Sequence, residues 1–291
     1  MLLYNYELLT NHNQKTKTKN FISLEENKTL LVDTNFILHL QNNQYRKVSI
    51  TSDKSFSNIT ANQSINFLVE NIVSFNSKVG SNKITFKLEK DGTKELLEYW
   101  LYHTFLPILF TIENKYYFLH AGAVEIEEQA VLFIANSFGG KSTLTDFFIK
   151  KNHTMISDDK VGTYMQDDKI MSVPSYSYHR PYRKVEDLGI KVENFAKENK
   201  EIFCIFNLVK SEKDSRINIE KITGIEKFKA LRFATDVDLE VNKKERFISL
   251  SNIANKTPIY NITIPWDLDR LEEVYDKICK FIKKEANELK H

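Results

Sequence analysis

Cysteine is nearly absent from this chain. Only Cys204 and Cys279 occur, far apart and with no CxxC pairing. That excludes a disulfide framework and a zinc site built on paired cysteines, and it points to a reducing cytoplasm. Long hydrophobic runs are also missing. The greasiest stretch, YWLYHTFLPILFTI from Tyr99 to Ile112, is shorter than the roughly 20 residues that span a bilayer, and it contains His103 and Pro107. It reads as a buried helix. The N-terminus, MLLYNYELLTNHNQ, soon turns polar and has no apolar signal core. Neither charge sign dominates: 41 Lys and Arg face 39 Asp and Glu, for a net +2. Nucleic acid and membrane are therefore not expected as partners. Glycine is scarce, with 8 in 291 residues against a usual share of roughly 7%.

Against that scarcity, Gly139 and Gly140 stand side by side, followed by Lys141, Ser142 and Thr143. The surrounding chain is globular in composition, with 42% hydrophobic and 27% charged residues. Residues 1–90 alternate apolar and polar positions, and FILHLQ, KVSITS and KITFKLEK read as short strands. KDGTK is a turn, and a helix follows from about Lys94 to Phe110. YYFLHAGAVEI and AVLFIA read as two strands split by a turn at Glu127–Gln129. STLTDFFIKK is a helix, and HTMISDD is a short strand ending in acids. KVGTYM and KIMSVP form a hairpin about Asp167-Asp168. EIFCIFNLV and TPIYNITIP are further strands. Leu268, Leu271, Val274, Tyr275, Ile278 and Ile282 line one face of a closing helix.

A strand, then a glycine pair with lysine and hydroxyls, then a helix is the arrangement of a phosphate-binding loop. Backbone amides must converge on phosphate oxygens, glycine permits the required angles, and the helix offers its unpaired N-terminal amides. The lysine then meets terminal phosphate oxygens, and the next hydroxyl meets magnesium. The nucleotide-binding set is Asn136, Ser137, Phe138, Gly139, Gly140, Lys141, Ser142 and Thr143. One departure exists: the first glycine of the GxxxxGK[ST] pattern falls on Ala135. Asp158 and Asp159 follow at one helix's distance, where a nucleotide site needs a carboxylate for metal and a base for the attacking hydroxyl. His120 lies on an earlier apolar strand.

LHAGAVEI, ANSFGGKSTL and ISDD, in this order and spacing, resemble the bacterial HPr serine kinase/phosphorylase family. The likeness is closer to the shorter HPr-kinase-like proteins encoded beside peptide-modification genes. PSYSYHRPYR and PIYNITIPWDLDRLEEVYDKI share it, so it spans about residues 116–285. The resemblance implies an α/β fold related to phosphoenolpyruvate carboxykinase, a bent mixed sheet around the phosphate loop. The β-rich region 1–93 would precede a kinase-like domain over 94–291. The resemblance places His120 near the transferred phosphate and divides general base and metal contact between Asp158 and Asp159. The order chosen is Asp158 as base, with Asp159 and Ser142 on the metal. The glycine-rich second signature loop of true HPr kinases is missing, which argues against HPr as the substrate.

Downstream, PSYSYHRPYRK concentrates tyrosines, His179, Arg180 and Arg183. Arg180, held extended by the following Pro181, is the expected grip on acceptor or phosphate. The catalytic set is thus Asp158, His120, Lys141 and Arg180. The expected activity is ATP- and Mg2+-dependent transfer to a hydroxyl, a serine or threonine of a small protein or peptide. A non-catalytic nucleotide-sensing or peptide-carrying module and a carboxykinase-like enzyme are the alternatives. The sequence leaves homo-oligomer formation open.

Overall fold

The computed structural model describes residues 1–10, 16, 18–30, 35–39, 46–136, 138–182 and 184–288. The chain divides into two compact units. One is Met1–Tyr116 with Lys184–Leu188 and Val237–Arg246, and the other is Tyr117–Arg183, Gly189–Asp236 and Phe247–His291.

The first unit carries β1 (Leu2–Leu3), β2 (Tyr6–Leu9), β3 (Phe21–Glu26), β4 (Phe36–His39), β5 (Val48–Ser52), β6 (Ser64–Val69), β7 (Val73–Lys78) and β8 (Lys83–Leu88). They form one sheet in the order β1-β2-β3-β8-β7-β6-β5-β4. β3 runs parallel to both its neighbours, and the other pairs are antiparallel. The helix expected from Lys94 is present. It consists of α1 (Lys94–Trp100), a π-helical turn (Leu101–Phe105) and α2 (Leu106–Ile112). Thr93 caps it, its side chain accepting from Leu96 N–H. The wide turn has a cause: Pro107 has no N–H and crowds the carbonyl four residues back. The ladder shifts there to a five-residue step, with Leu106 N–H donating to Leu101 C=O. Phe105 stacks on Phe75 at 5.0 Å and tilts against Phe67 at 5.6 Å, so the greasy stretch covers the sheet. One compact unit runs unbroken from Met1 to Tyr116.

The second unit holds β9 (Tyr117–His120), β10 (Gly122–Ile126), β11 (Gln129–Ala135), α3 (Lys141–Lys150), β12 (Met155–Ser157), β13 (Lys160–Gln166), β14 (Lys169–Val173), β15 (Tyr178–His179), β16 (Ile190–Lys191), β17 (Lys200–Ser211), β18 (Ile219–Lys221), α4 (Ile225–Phe233), α5 (Lys243–Lys256) from Phe247 onward, β19 (Ile259–Pro265) and α6 (Leu271–Glu288). Its main sheet is mixed, with the order β12-β10-β11-β17-β14-β13-β9, and β19 pairs β17 and β18. β11, β17 and β19 are parallel neighbours. Their apolar residues point to both faces, as a strand buried on both sides requires. Val131, Phe133 and Phe206 pack with Phe148 of α3 and Val274, Ile278 and Ile282 of α6. Leu132, Ile134 and Ile205 pack with Leu231 of α4 and Leu250 and Ile253 of α5.

The sheet curls at β17. Lys200 and Glu201 pair with β14, whereas from Ile202 onward the strand pairs with β11. β9 and β10 cross the same bend. The single strand expected over YYFLHAGAVEI breaks at Ala121: β9 pairs β13, while β10 pairs β11 and β12. At the break, a Cβ on Gly122 would lie 2.0 Å from Thr145 Oγ1 of α3, so glycine lets the helix come close. Asp167-Asp168 is the expected hairpin turn, with both residues at positive φ. Among the described residues, no helix is long and apolar enough to cross a membrane.

Candidate functional site

The loop between β11 and α3 starts where three parallel strands end side by side, the usual place for a ligand in such a sheet. Gly140 is the N-cap of α3 at φ +85°, a left-handed conformation that suits glycine. Gly139 is required for another reason. A Cβ there would lie 2.8 Å from the Ala135 Cβ and 2.8 Å from the Asn136 carbonyl oxygen. The methyl group that replaces the pattern's first glycine therefore occupies the space that residue 139 leaves empty. Asn136 C=O accepts from Gly139 N–H at 2.9 Å and tightens the turn. Phe138 stands 81% exposed at the tip, at positive φ. Ser137 lies outside the described residues. Lys141, Ser142 and Thr143 open the helix, whose first amides have no partners of their own within it.

Lys141 is buried, and its Nζ lies 3.4 Å from Asp159 Oδ1. The same oxygen is 3.1 Å from His120 Nδ1, and Asp159 Oδ2 is 3.8 Å from Arg180 Nη2. One carboxylate thus gathers the loop lysine, the histidine and the arginine. The strands explain the meeting. His120 ends β9 opposite Lys160, the residue after Asp159, and Ala121 N–H donates to Asp159 C=O. Asp236 completes the cluster. The segment after α4 runs beside β9, with His120 N–H donating to Ala234 C=O and Asp236 N–H to Phe118 C=O. This brings Asp236 Oδ1 to 3.9 Å from His120 Nδ1 and its Oδ2 to 2.5 Å from Lys160 Nζ.

Asp158 is placed differently. Its side chain is buried, Oδ2 accepts from Arg180 N–H at 2.8 Å, and Oδ1 lies 3.0 Å from His179 Nδ1. His179 is itself buried, and its Nε2 lies 3.2 Å from Asp146 Oδ1 on α3. The angles at His179 are not those of hydrogen bonds, so these are close packing contacts. The segment PSYSYHRPYRK thus enters the site through its backbone as well as through Arg180. Of its tyrosines, Tyr176 is core, Tyr178 is half-buried and Tyr182 is exposed. Arg183 lies outside the described residues. Sequence reasoning gave no role to Asp146, Lys160, His179 or Asp236. His179 lies in PSYSYHRPYRK, whereas a helix face, a strand pairing and the segment beside β9 bring in Asp146, Lys160 and Asp236.

Among the described residues, no group of three or more His, Cys, Asp or Glu side chains is arranged to hold a metal unaided. A hydroxyl at Ser142 and a carboxylate nearby are the donors that suit magnesium, which usually takes few protein ligands and completes its shell with water and phosphate oxygens.

No family model matches the chain. Curated relatives do. The HPr kinase/phosphorylases of Lactobacillus johnsonii and Lactobacillus gasseri are each 33% identical to this chain over 72 residues. The stretch covers 25% of this chain and 23% of each relative, so the chain spans under a quarter of their length. In that stretch the chain is HPr-kinase-like. A solved structure, the Hpr(Ser) kinase/phosphatase from Coxiella burnetii, aligns over 60% of this chain and 99% of its own, with 14% identity and a TM-score of 0.39.

Proposed function

We propose that this chain is an ATP-dependent phosphotransferase that moves the terminal phosphoryl group to a hydroxyl, a serine or threonine of a peptide or small protein. The observation that carries this is the convergence of Lys141, His120 and Arg180 on Asp159 beside the phosphate loop. Lys141 meets the terminal phosphate oxygens. Arg180 offers a planar fork to the transferring group. Asp159 takes the hydroxyl proton as the acceptor oxygen bonds to phosphorus and the bond to the ADP oxygen breaks. His120 holds Asp159 in place. Here the base role falls to Asp159 rather than to Asp158, because Asp158 is enclosed by His179 and the Arg180 amide. Ser142 would help to hold magnesium, which would supply charge neutralisation when bound. The relatives named HPr kinase/phosphorylase support a kinase-like activity, and the missing signature loop directs the acceptor away from HPr. The Ala135 departure from the loop pattern is what favours a non-catalytic module, and Gly139 accommodates that residue.

The test is titration calorimetry with ATP and Mg2+, followed by transfer of labelled phosphate to candidate peptides. Lys141→Ala removes one charge-assisted contact, and ATP affinity is expected to fall about 10- to 100-fold. Unchanged affinity in this variant, with the fold intact by circular dichroism, would sink the phosphate-loop assignment.

A further inference from the structure

Beside the loop, on the face of the sheet that carries α3 and α6, lies an apolar recess of about 210 Å3. Gly140 and Thr143 form one wall, Leu208 and Ile264 from the ends of β17 and β19 form the floor, and Trp266 and Leu268 form the rim. We infer that this recess holds the nucleobase of the bound nucleotide, stacked on Trp266; the inference rests on the phosphate-loop reading above.

Three observations converge. The first is direction. Lys141 Nζ points to Asp159, which marks the transferred end of the phosphate chain. The recess opens from Gly140 and Thr143. A triphosphate lying over the N-terminus of α3 then has its terminal phosphorus near Asp159 and its nucleoside end at the recess. The second is size and lining. Sites for whole drug-sized ligands usually measure roughly 300–1,000 Å3. This smaller recess, walled by aliphatic and aromatic groups, suits a single ring system and leaves ribose and phosphates outside.

The third is the state of the rim. Trp266 is 47% exposed and Leu268 75% exposed, although the helical periodicity of the closing segment would bury Leu268. The fold does not use either side chain for its core, yet both border the recess. A Cβ on Gly140 would come within 3.6 Å of Trp266 Cζ3, so the indole is within van der Waals reach of the loop. Lys210 Nζ sits 3.9 Å from the indole centroid, over the ring. That contact steadies the indole on one face and leaves the other for a base.

The experiment titrates the full-length chain with ATP and with inorganic tripolyphosphate, each with Mg2+, in the native protein and in Trp266→Ala and Trp266→Phe. The native protein is expected to prefer ATP. Trp266→Ala should lose about 5- to 150-fold in ATP affinity, the range for one stacked base, while tripolyphosphate binding is unchanged. Trp266→Phe should keep most of the preference and guards against a folding defect. Native binding of tripolyphosphate with no gain for ATP, or a Trp266→Ala loss shared equally by both ligands or absent from both, overturns the recess assignment alone. Binding of neither ligand by the native protein overturns it together with the phosphate-loop reading.

Discussion

The carboxylate of Asp158 belongs to His179, whose Nδ1 lies 3.0 Å from its Oδ1, while the loop lysine Lys141 meets Asp159. Two adjacent acids in one sequence therefore have opposite surroundings. Successive residues at a strand end point to opposite sides, and here one side is the loop and the other is the packed segment after β14.

This separation gives the first prediction. Asp159→Asn should reduce phosphoryl transfer by about 100- to 10,000-fold, the usual worth of a general base, with ATP still bound. Asp158→Asn should chiefly destabilise the fold by about 1–3 kcal/mol, because it strips charge from a buried, hydrogen-bonded carboxylate. Transfer rates at saturating ATP and thermal melts of both variants check this. A pure turnover defect in Asp158→Asn, with a magnesium defect in Asp159→Asn, would restore the order expected from the sequence.

The second concerns Gly139 and Ala135. Gly139→Ala places two methyl carbons 2.8 Å apart, closer than carbon atoms pack. Overpacking of this kind typically costs about 1–3 kcal/mol, and here it also distorts the turn before α3. Adding Ala135→Gly should recover part of the loss, since the Asn136 carbonyl remains close. A double-mutant cycle read by melting temperature and tripolyphosphate affinity measures the coupling; strict additivity would mean that the two positions do not compensate.

Arg180 supplies the third. Its side chain is 14% exposed and its Nη2 lies 3.8 Å from Asp159 Oδ2, so the guanidinium belongs to the cluster rather than to open solvent. Lysine cannot reproduce the planar fork. Arg180→Lys and Arg180→Ala should both lower the transfer rate at saturating ATP, by about 100- to 1,000-fold, the loss typical of removing one transition-state donor. A lysine variant with near-native rate would reduce Arg180 to a point charge.

The fourth is a pH dependence in the N-terminal unit. Hydrogen bonds from Arg46, at 2.9 and 2.8 Å, and from Trp100 Nε1, at 3.0 Å, hold the Glu186 carboxyl below its ordinary value of 4.5 despite burial. A lowered folded pKa means that the unfolded chain binds the proton more readily. The stabilisation is then complete above about pH 4.5 and is lost as pH falls through the lower folded value. Glu186→Gln should flatten the acid limb of a stability-versus-pH curve. If the limb is unchanged, this pair does not contribute to acid stability.

Local pattern carried much of this protein. The strand AVLFIA, the glycine pair with Lys141 and the following helix are contiguous, so this strand, turn and helix were legible in the sequence alone. The short strands, the hairpin at Asp167-Asp168 and the buried helix beginning at Lys94 were legible for the same reason: period and turn chemistry are local. Tertiary structure decided what depends on which strands become neighbours. It broke YYFLHAGAVEI at Ala121, because β9 and β10 pair with different strands across the bend. It brought Asp236 and Lys160 to His120 from distant segments, and it turned Asp158 toward His179. It also left Leu268 at the rim of a recess rather than in the core, because the turn Leu268–Arg270 precedes α6 and breaks the helical register that the sequence suggested.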